Sequence, residues 1–147
     1  MIAGVSELIP VLQIAIGPVI LISGIGLLLL SMTNRLGRIV DRSRSLWREL
    51  RSLDDPEERE LTIQQLRHLR RRAVLVRWAV TLSTLSIFLA AVLIVTLFIA
   101  ALLRLEIGWA ISAIFIACLF ALIGSVAAFL REIQQSLDTL ELEIRID

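Results

Sequence analysis

Three long runs without a charged side chain constrain this chain more than any other feature. They are residues 8–34, 78–103 and 107–130, which together make up more than half of the 147 residues. Each run exceeds the roughly 20 apolar residues that a helix needs to cross the hydrocarbon core of a bilayer. The sequence therefore predicts an all-α integral membrane protein with three transmembrane helices, and it excludes a soluble globular domain and a disordered chain.

The distribution of charge predicts how these helices are oriented. All fifteen basic residues are arginine, and twelve of them lie in residues 35–77 beside seven acidic residues. Arginine-rich segments between transmembrane helices stay on the cytoplasmic side of the membrane. We therefore expect residues 35–77 and the tail 131–147 to lie in the cytoplasm, and the N-terminus and the turn 104–106 to lie outside.

The first transmembrane segment, within residues 1–34, carries a helix-disrupting signal at Gly17-Pro18. Proline removes one backbone donor and clashes with the preceding turn of a helix. We expect a helix that is kinked at Pro18. The alternative is a shorter helix that begins at Pro18, with residues 1–16 lying partly along the outer surface.

The arginine-rich segment 35–77 has the pattern of a helical hairpin. Mainly apolar residues recur every three or four positions from Leu36 to Leu53, and again from Leu66 to Val80. Between them, an aspartate cap followed by proline is typical of a helix start. We expect a long antiparallel, coiled-coil-like hairpin with its turn at 54–56, continuous with the first two transmembrane helices and completed by contacts with other subunits.

The end of the chain allows two interpretations. Residues 131–147 continue the helical spacing of the third transmembrane segment, but the last eight residues also alternate as a strand would. We expect a helix to about residue 140, followed by either a frayed end or a short strand that pairs between subunits.

Small and polar residues near the first transmembrane helix are candidates for packing or for lining a pore. Small residues let membrane helices approach closely, and they recur along the first and third runs, as Gly17, Gly24 and Ser31 do every seven residues. Hydroxyl groups near the inner boundary either bond to carbonyls of their own helix or line a wet vestibule. The positions predicted for a pore or for packing are Pro18, Ser23, Gly24, Ser31 and Asn34.

The arginines are candidates for binding a lipid or a protein. Guanidinium groups bind phosphate, so the segment 35–77 could hold anionic headgroups or a cytoplasmic protein. The alternative is that the arginines set the topology and pair with the acidic residues of the same segment. The predicted charge network is Arg35, Arg38, Asp41, Arg42 and Arg44. The predicted lipid or partner contact is Arg67, Arg70, Arg71 and Arg72.

The chemical inventory of the chain does not suggest an enzyme. It has one histidine and one cysteine, no lysine and no tyrosine, and it lacks zinc spacing, a glycine-rich phosphate loop and a nucleophile elbow. Cys118 lies within an apolar run, where it is expected to be a small packing residue. We expect no catalytic residue, metal or cofactor, and no nucleic-acid binding because acidic residues dilute the basic segment.

Two adjoining segments resemble a known family. They run from Gly17 to Leu27 (GPVILISGIGL) and from Thr33 to Arg44 (TNRLGRIVDRSR). Together they resemble the bacterial membrane-protein family catalogued as domain of unknown function 2721. The resemblance implies a multi-pass protein of the bacterial inner membrane and no established activity. Its family-like positions are Pro18, Asn34, Arg35, Arg38, Asp41, Arg42 and Arg44.

Physical chemistry suggests a role for two of the family-like positions, Asp41 and Asn34. Asp41 lies three residues from both Arg38 and Arg44, so it can pair with them along one helix face. Asn34 could donate a hydrogen bond to a neighbouring helix.

Two functions remain open from the sequence, and a third, a membrane enzyme, would require Asp41 and His68 to meet a metal or substrate at the inner surface. The leading hypothesis is a homo-oligomeric channel for ions or small solutes, with the hairpins forming a cytoplasmic collar. The alternative is a non-conducting membrane scaffold that binds anionic lipid or a cytoplasmic partner through the arginine-rich hairpin.

Overall fold

The protein is built from three long helices. The computed structural model describes the backbone of residues 5–144 and the side chains of residues 9–135. The helices are α1 (Val5–Ser52), α2 (Pro56–Leu103) and α3 (Gly108–Ile144), and residues 5–144 contain no strand. Each helix has a segment that is long and apolar enough to cross a membrane. The predicted all-α class with three apolar helices is therefore confirmed, and it indicates a multi-pass membrane protein.

The connection between α1 and α2 is short because the sequence ends one helix and restarts the next within three residues. Helix α1 ends at Ser52, and α2 begins at Pro56. Asp55 is the cap of α2, since its Oδ1 accepts a hydrogen bond from the Glu57 amide at 3.1 Å. The aspartate cap and the proline at the first helical position are those the sequence indicates.

The connection between α2 and α3 begins with a tight turn at the end of α2, in which Arg104 has a strained backbone. The Leu105 amide donates to the Ala100 carbonyl at 2.9 Å, the bond that closes a Schellman motif. Arg104 occupies the left-handed position of this motif with a φ of 52°, where glycine is the usual residue. Helix α3 then begins at Gly108, so the connection is one residue longer than the predicted turn 104–106.

Helix α1 does not begin at Pro18. It starts at Val5 and contains both Pro10 and Pro18. The alternative in which the first helix begins at Pro18 is therefore wrong, and so is the expectation in that alternative that residues 5–16 lie outside the helix. At the other end of the chain, α3 continues to Ile144, which extends the predicted helix past residue 140. Residues 145–147, in the segment predicted to fray or form a strand, lie outside the described residues.

The chain divides into two compact units. The first, the apolar unit, is Met1–Leu29 with Thr81–Gly124, and the second, the arginine-rich unit, is Leu30–Val80 with Ser125–Asp147. In the apolar unit the buried residues are mostly small. They include Ala90, Ala100, Cys118 and Ala121. Small buried residues are typical of membrane helices that approach each other closely.

The arginine-rich unit buries a regular stripe of apolar side chains. On α1 the buried residues Met32, Ile39 and Leu46 recur every seven positions. A seven-residue repeat keeps one stripe of a helix turned towards its neighbours. Val76 and Ala79 of α2 are fully buried in the same unit. This stripe leaves the other faces of α1 and α2 to carry the arginines.

Candidate functional site

A buried carboxylate in the arginine-rich unit joins residues from all three helices. Glu132 of α3 has no solvent-exposed surface. Its Oε1 accepts hydrogen bonds from Arg72 of α2, at 3.2 Å from Nε and 3.0 Å from Nη2. The Nε of Arg35 on α1 lies 3.0 Å from Oε2. Two guanidinium groups thus compensate the charge of one carboxylate.

The surroundings of Glu132 explain why a charge can be buried there. An unpaired carboxylate inside a protein is very costly, whereas one that is paired and hydrogen-bonded is tolerated. Phe129 lies one turn before Glu132 on α3, and the Arg35 guanidinium sits 5.9 Å from the centre of its ring. Arg35 therefore contacts an aromatic face and a carboxylate on the same side of α3.

The pairing leaves part of the site unsatisfied. Within the described residues, Oε2 of Glu132 has no hydrogen bond of good geometry, although the Arg35 charge lies beside it. The side chains of Arg35 and Arg72 keep 32% and 26% of their surface exposed. Both guanidinium groups therefore reach from the buried carboxylate towards an accessible space.

That space is an open cavity of about 600 Å³, which we call the arginine pocket. Most of its wall is one face of α1, and the rest comes from α2. It is lined by Ser31, Asn34, Arg35, Arg38, Ile39, Arg42, Leu69 and Arg72. Four guanidinium groups line the cavity and one carboxylate, Glu132, pairs with two of them, which leaves an excess of three positive charges at the site.

Two arginines of the pocket make no ion pair with the side chains that the structure describes. Among the side chains described, neither Arg38 nor Arg42 lies within ion-pair distance of a carboxylate. The expected pairing of Asp41 with Arg38 and Arg44 is also not found in this part of the chain. Asp41 is exposed, and a solvated pair of this kind gains little, so the arginines extend into cavities instead.

The predicted charge network is divided between two places. Arg35, Arg38 and Arg42 line the arginine pocket, whereas Arg44 lines a second cavity of about 430 Å³ beside Trp47. Asn34 also lines the arginine pocket, but within the described residues its side chain makes no hydrogen bond to another helix. The cross-helix role expected for Asn34 is therefore not found.

The predicted lipid or partner contact, formed by four arginines of α2, is divided as well. Arg72 belongs to the arginine pocket and pairs with Glu132. Arg67 and Arg70 line the second cavity, and Arg71 is exposed. Successive residues of an α-helix point in different directions, so one surface of α2 cannot hold all four arginines.

The positions predicted for a pore or for packing lie in different environments. Pro18 is buried in the apolar unit, whereas Ser23 and Gly24 are exposed. The Ser23 hydroxyl donates to the Val19 carbonyl of its own helix. Open space surrounds Gly24, where an added Cβ would meet nothing within 4 Å. Ser31 is exposed at the arginine pocket. Only Pro18 of this group is packed inside the single chain.

Buried hydroxyl groups link neighbouring helices. Ser86 donates to the Cys118 carbonyl at 3.0 Å, and Cys118 Sγ lies 3.3 Å from the Ser86 hydroxyl. In the arginine-rich unit, Ser125 donates to the Ala79 carbonyl at 2.8 Å. The buried Ser86 hydroxyl therefore bonds to a neighbouring helix and not to a carbonyl of its own helix. Cys118 is buried, as expected of a packing residue.

Sequence reasoning missed Ser125 and Glu132, although a signal for them exists. Cys118, Ser125 and Glu132 are seven residues apart, and all three are fully buried. Continuing the seven-residue spacing beyond the apolar run would have placed Glu132 on the inner face of α3.

Comparison with known families identifies the chain. A family model described as protein of unknown function (DUF2721) matches residues 15–142. The chain belongs to the DUF2721 family. The resemblance found in the sequence is therefore confirmed, and the arginine pocket and Glu132 lie inside the DUF2721 match. No curated protein and no solved structure matches the chain.

Proposed function

We propose that this DUF2721 protein is a non-conducting membrane scaffold that holds anionic lipid in the arginine pocket. The observation that carries the proposal is the excess of three positive charges in one cavity, with Arg38 and Arg42 making no ion pair to a described carboxylate. Guanidinium groups match phosphate oxygens in geometry and in charge. The pocket thus has the chemistry of a phosphate headgroup site.

The position of the pocket along the sequence supports this proposal. Arg35 directly follows the charge-free run that ends at Asn34, and Arg72 lies six residues before Trp78, which opens the next run. Arginine and tryptophan at the ends of apolar runs lie at the level of the lipid headgroups. Each such arginine contributes about 1 kcal/mol of attraction to an anionic membrane surface.

The proposal includes a location and an arrangement. The arginine-rich unit faces the cytoplasm of a bacterial cell at the inner membrane, and the N-terminus lies outside, as the arginine bias favours. The buried stripe from Met32 to Leu46 supports a coiled-coil-like hairpin of α1 and α2. The role is one of binding, and it assigns no catalytic step, metal or cofactor.

The alternative function is a homo-oligomeric channel. The exposed face formed by Gly17, Gly24 and Ser31 favours it, because small residues on an outer face allow a second helix to approach closely. The hydroxyl groups of Ser86 and Ser125 argue against it, because they are buried and bonded within one chain. A channel would need such groups on a water-filled path.

Native mass spectrometry of the full chain, released from nanodiscs of phosphatidylglycerol and phosphatidylcholine, tests the scaffold proposal. We expect the protein to retain phosphatidylglycerol in excess of its share of the bilayer. The double variant Arg38→Gln with Arg42→Gln should lose this excess. The matched control replaces Arg48 and Arg51 by glutamine, since both are exposed on the same helix and line neither the arginine pocket nor the cavity beside Trp47. Equal loss in both double variants would overturn the assignment of the pocket.

A flux assay separates the two functions. The protein is reconstituted into liposomes, and the efflux of potassium, chloride and a small neutral solute is followed with and without a membrane potential. The scaffold proposal predicts efflux equal to that of protein-free liposomes. Efflux that rises with protein density, together with a defined oligomer in nanodiscs, would support the channel instead.

A further inference from the structure

We infer that the arginine pocket selects a terminal phosphate group, a phosphomonoester, over a phosphodiester. The inference rests on the proposed function and names the headgroup chemistry of the same site. It follows from how the pocket's four arginines are divided between the protein and the open cavity.

The first pair of arginines is already engaged. Arg35 and Arg72 both contact the buried carboxylate of Glu132, and the three groups together carry one net positive charge. Arg72 directs Nε and Nη2 to a single carboxylate oxygen. Arg35 and Arg72 therefore have part of their charge and hydrogen-bonding capacity already taken up by Glu132 before a ligand binds.

The second pair is not engaged by any described carboxylate. Arg38 and Arg42 line the pocket, and no ion pair joins either of them to a side chain that the structure describes. They stand four residues apart on α1, a spacing that places side chains about 5–6 Å from each other on one helix face. That separation allows both guanidinium groups to bind the same phosphate group.

Charge matching then favours the monoester. A phosphomonoester carries nearly two negative charges at neutral pH and three strong acceptor oxygens. A phosphodiester carries one charge and two unsubstituted oxygens. Arg38 and Arg42, which pair with no described carboxylate, are neutralised by the first group and only half neutralised by the second. Arg38 and Arg42 are exposed, so water screens part of this attraction, but at short range the additional ligand charge still favours the monoester.

The remaining polar residues of the lining lie on the side where the rest of a headgroup would extend. Ser31 and Asn34 share the face of α1 with Arg38, and they lie about 6–10 Å from it along the helix axis. A hydroxyl and an amide can bond to an ester oxygen or to a glycerol backbone. The cavity volume of about 600 Å³ leaves room for such a group beyond the phosphate.

A lipid such as phosphatidic acid and a soluble phosphate ester present the same chemistry. The experiment therefore uses the full chain in phosphatidylcholine nanodiscs that contain phosphatidic acid, phosphatidylglycerol or cardiolipin with the same acyl chains at equal charge. The lipids retained by the protein are counted by native mass spectrometry. A second arm adds inorganic phosphate or glycerol 3-phosphate as a competitor.

We expect phosphatidic acid to be retained about tenfold more strongly than phosphatidylglycerol, because one further ligand charge faces two arginines at short range. Arg38→Gln with Arg42→Gln should abolish the preference, and the Arg48→Gln with Arg51→Gln control should keep it. Lysine at both positions keeps the charge but loses the planar fork, so it should retain part of the preference. Displacement of phosphatidic acid by glycerol 3-phosphate would identify a soluble ester as a ligand, and no displacement would identify the lipid.

The outcomes separate this inference from the proposed function. Equal retention of phosphatidic acid and phosphatidylglycerol, lost in the Arg38/Arg42 variant, would overturn the monoester and leave the anionic-lipid scaffold standing. Stronger retention of cardiolipin than of phosphatidic acid would overturn it too, because two diesters would then be preferred. Retention of no anionic lipid would overturn both.

Discussion

Arg72 binds Glu132 through two nitrogen atoms that donate to the same carboxylate oxygen, although the two residues lie sixty positions apart in the chain. The second oxygen of Glu132 faces Arg35, so the carboxylate ties α1, α2 and α3 of the arginine-rich unit together. Glu132 pairs with only two of the four pocket arginines, and the proposed headgroup binds the other two, Arg38 and Arg42. The same contact thus stabilises the unit and shapes the pocket.

Removing the charge of Glu132 should destabilise the protein. Breaking a buried ion pair by changing one partner costs roughly 3–5 kcal/mol, and the partial exposure of Arg35 and Arg72 reduces this to about 2 kcal/mol for Glu132→Gln. Reversible unfolding in mixed micelles measures the change. Glu60→Gln is the control, because Glu60 is exposed and makes no ion pair among the described residues. Equal effects of the two substitutions would show that Glu132 does not hold the helices.

Loss of the Ser125 hydroxyl should weaken the contact between α2 and α3. The bond from Ser125 to the Ala79 carbonyl is buried, and such interhelical bonds in membrane proteins contribute about 0.6 kcal/mol on average and up to about 1.7. We expect Ser125→Ala to lower the free energy of unfolding by about 1 kcal/mol. Ser23→Ala should have no measurable effect, since Ser23 is exposed and bonds only to its own helix. A Ser125 variant as stable as the Ser23 variant would contradict this role.

The end of α2 can be stabilised by one substitution. Arg104 has a φ of 52°, a conformation that costs an ordinary residue about 1–2 kcal/mol and glycine almost nothing. Arg104→Gly should therefore raise the free energy of unfolding by up to about 1 kcal/mol. Arg104→Ala keeps the strain and should give no gain. An equal gain from alanine would mean that removing the charge, and not relaxing the backbone, is responsible.

The close approach at Gly124 should tolerate no larger side chain. A Cβ at this position would lie 3.3 Å from Cδ1 of Leu82, so the two helices have little space to spare. We expect Gly124→Leu to cost about 1–3 kcal/mol through overpacking. Gly26→Ala is the contrasting variant, because a Cβ there meets nothing within 4 Å and alanine favours helix. Thermal unfolding of both variants checks the difference, and a stable Gly124→Leu protein would contradict the packing.

The helices could be predicted from sequence because the bilayer imposes their length. The three charge-free runs lie within α1, α2 or α3 apart from short ends, and the Asp55 cap with Pro56 marks the start of α2. The alternative start at Pro18 overestimated how strongly proline breaks a helix. The first turns of α1 form before it, and apolar surroundings make an unbonded backbone costly enough to keep a helix intact.

The site could be predicted only in part. The arginines and Asn34 were found because their spacing places them on α1 next to an apolar run. Their division into two cavities depends on where α2 lies, which no local spacing reveals. Glu132 pairs with residues 60 and 97 positions away, so its role follows from tertiary packing. For Asp41 the local spacing was misleading. It predicted ion pairs with Arg38 and Arg44, but Asp41 is exposed and such pairs are weak in water.

The most direct test of the central claim, that an anionic headgroup binds in the arginine pocket, is to locate that headgroup on the protein. A phosphatidic acid analogue with a photoreactive group beside its phosphate is incorporated into nanodiscs with the full chain. After irradiation, the crosslinked residues are mapped by mass spectrometry. We expect crosslinks concentrated in residues 31–42 of α1 and 69–72 of α2, and their loss when Arg38 and Arg42 are replaced by glutamine. Crosslinks confined to the connection between α2 and α3, or unchanged by that double substitution, would contradict it.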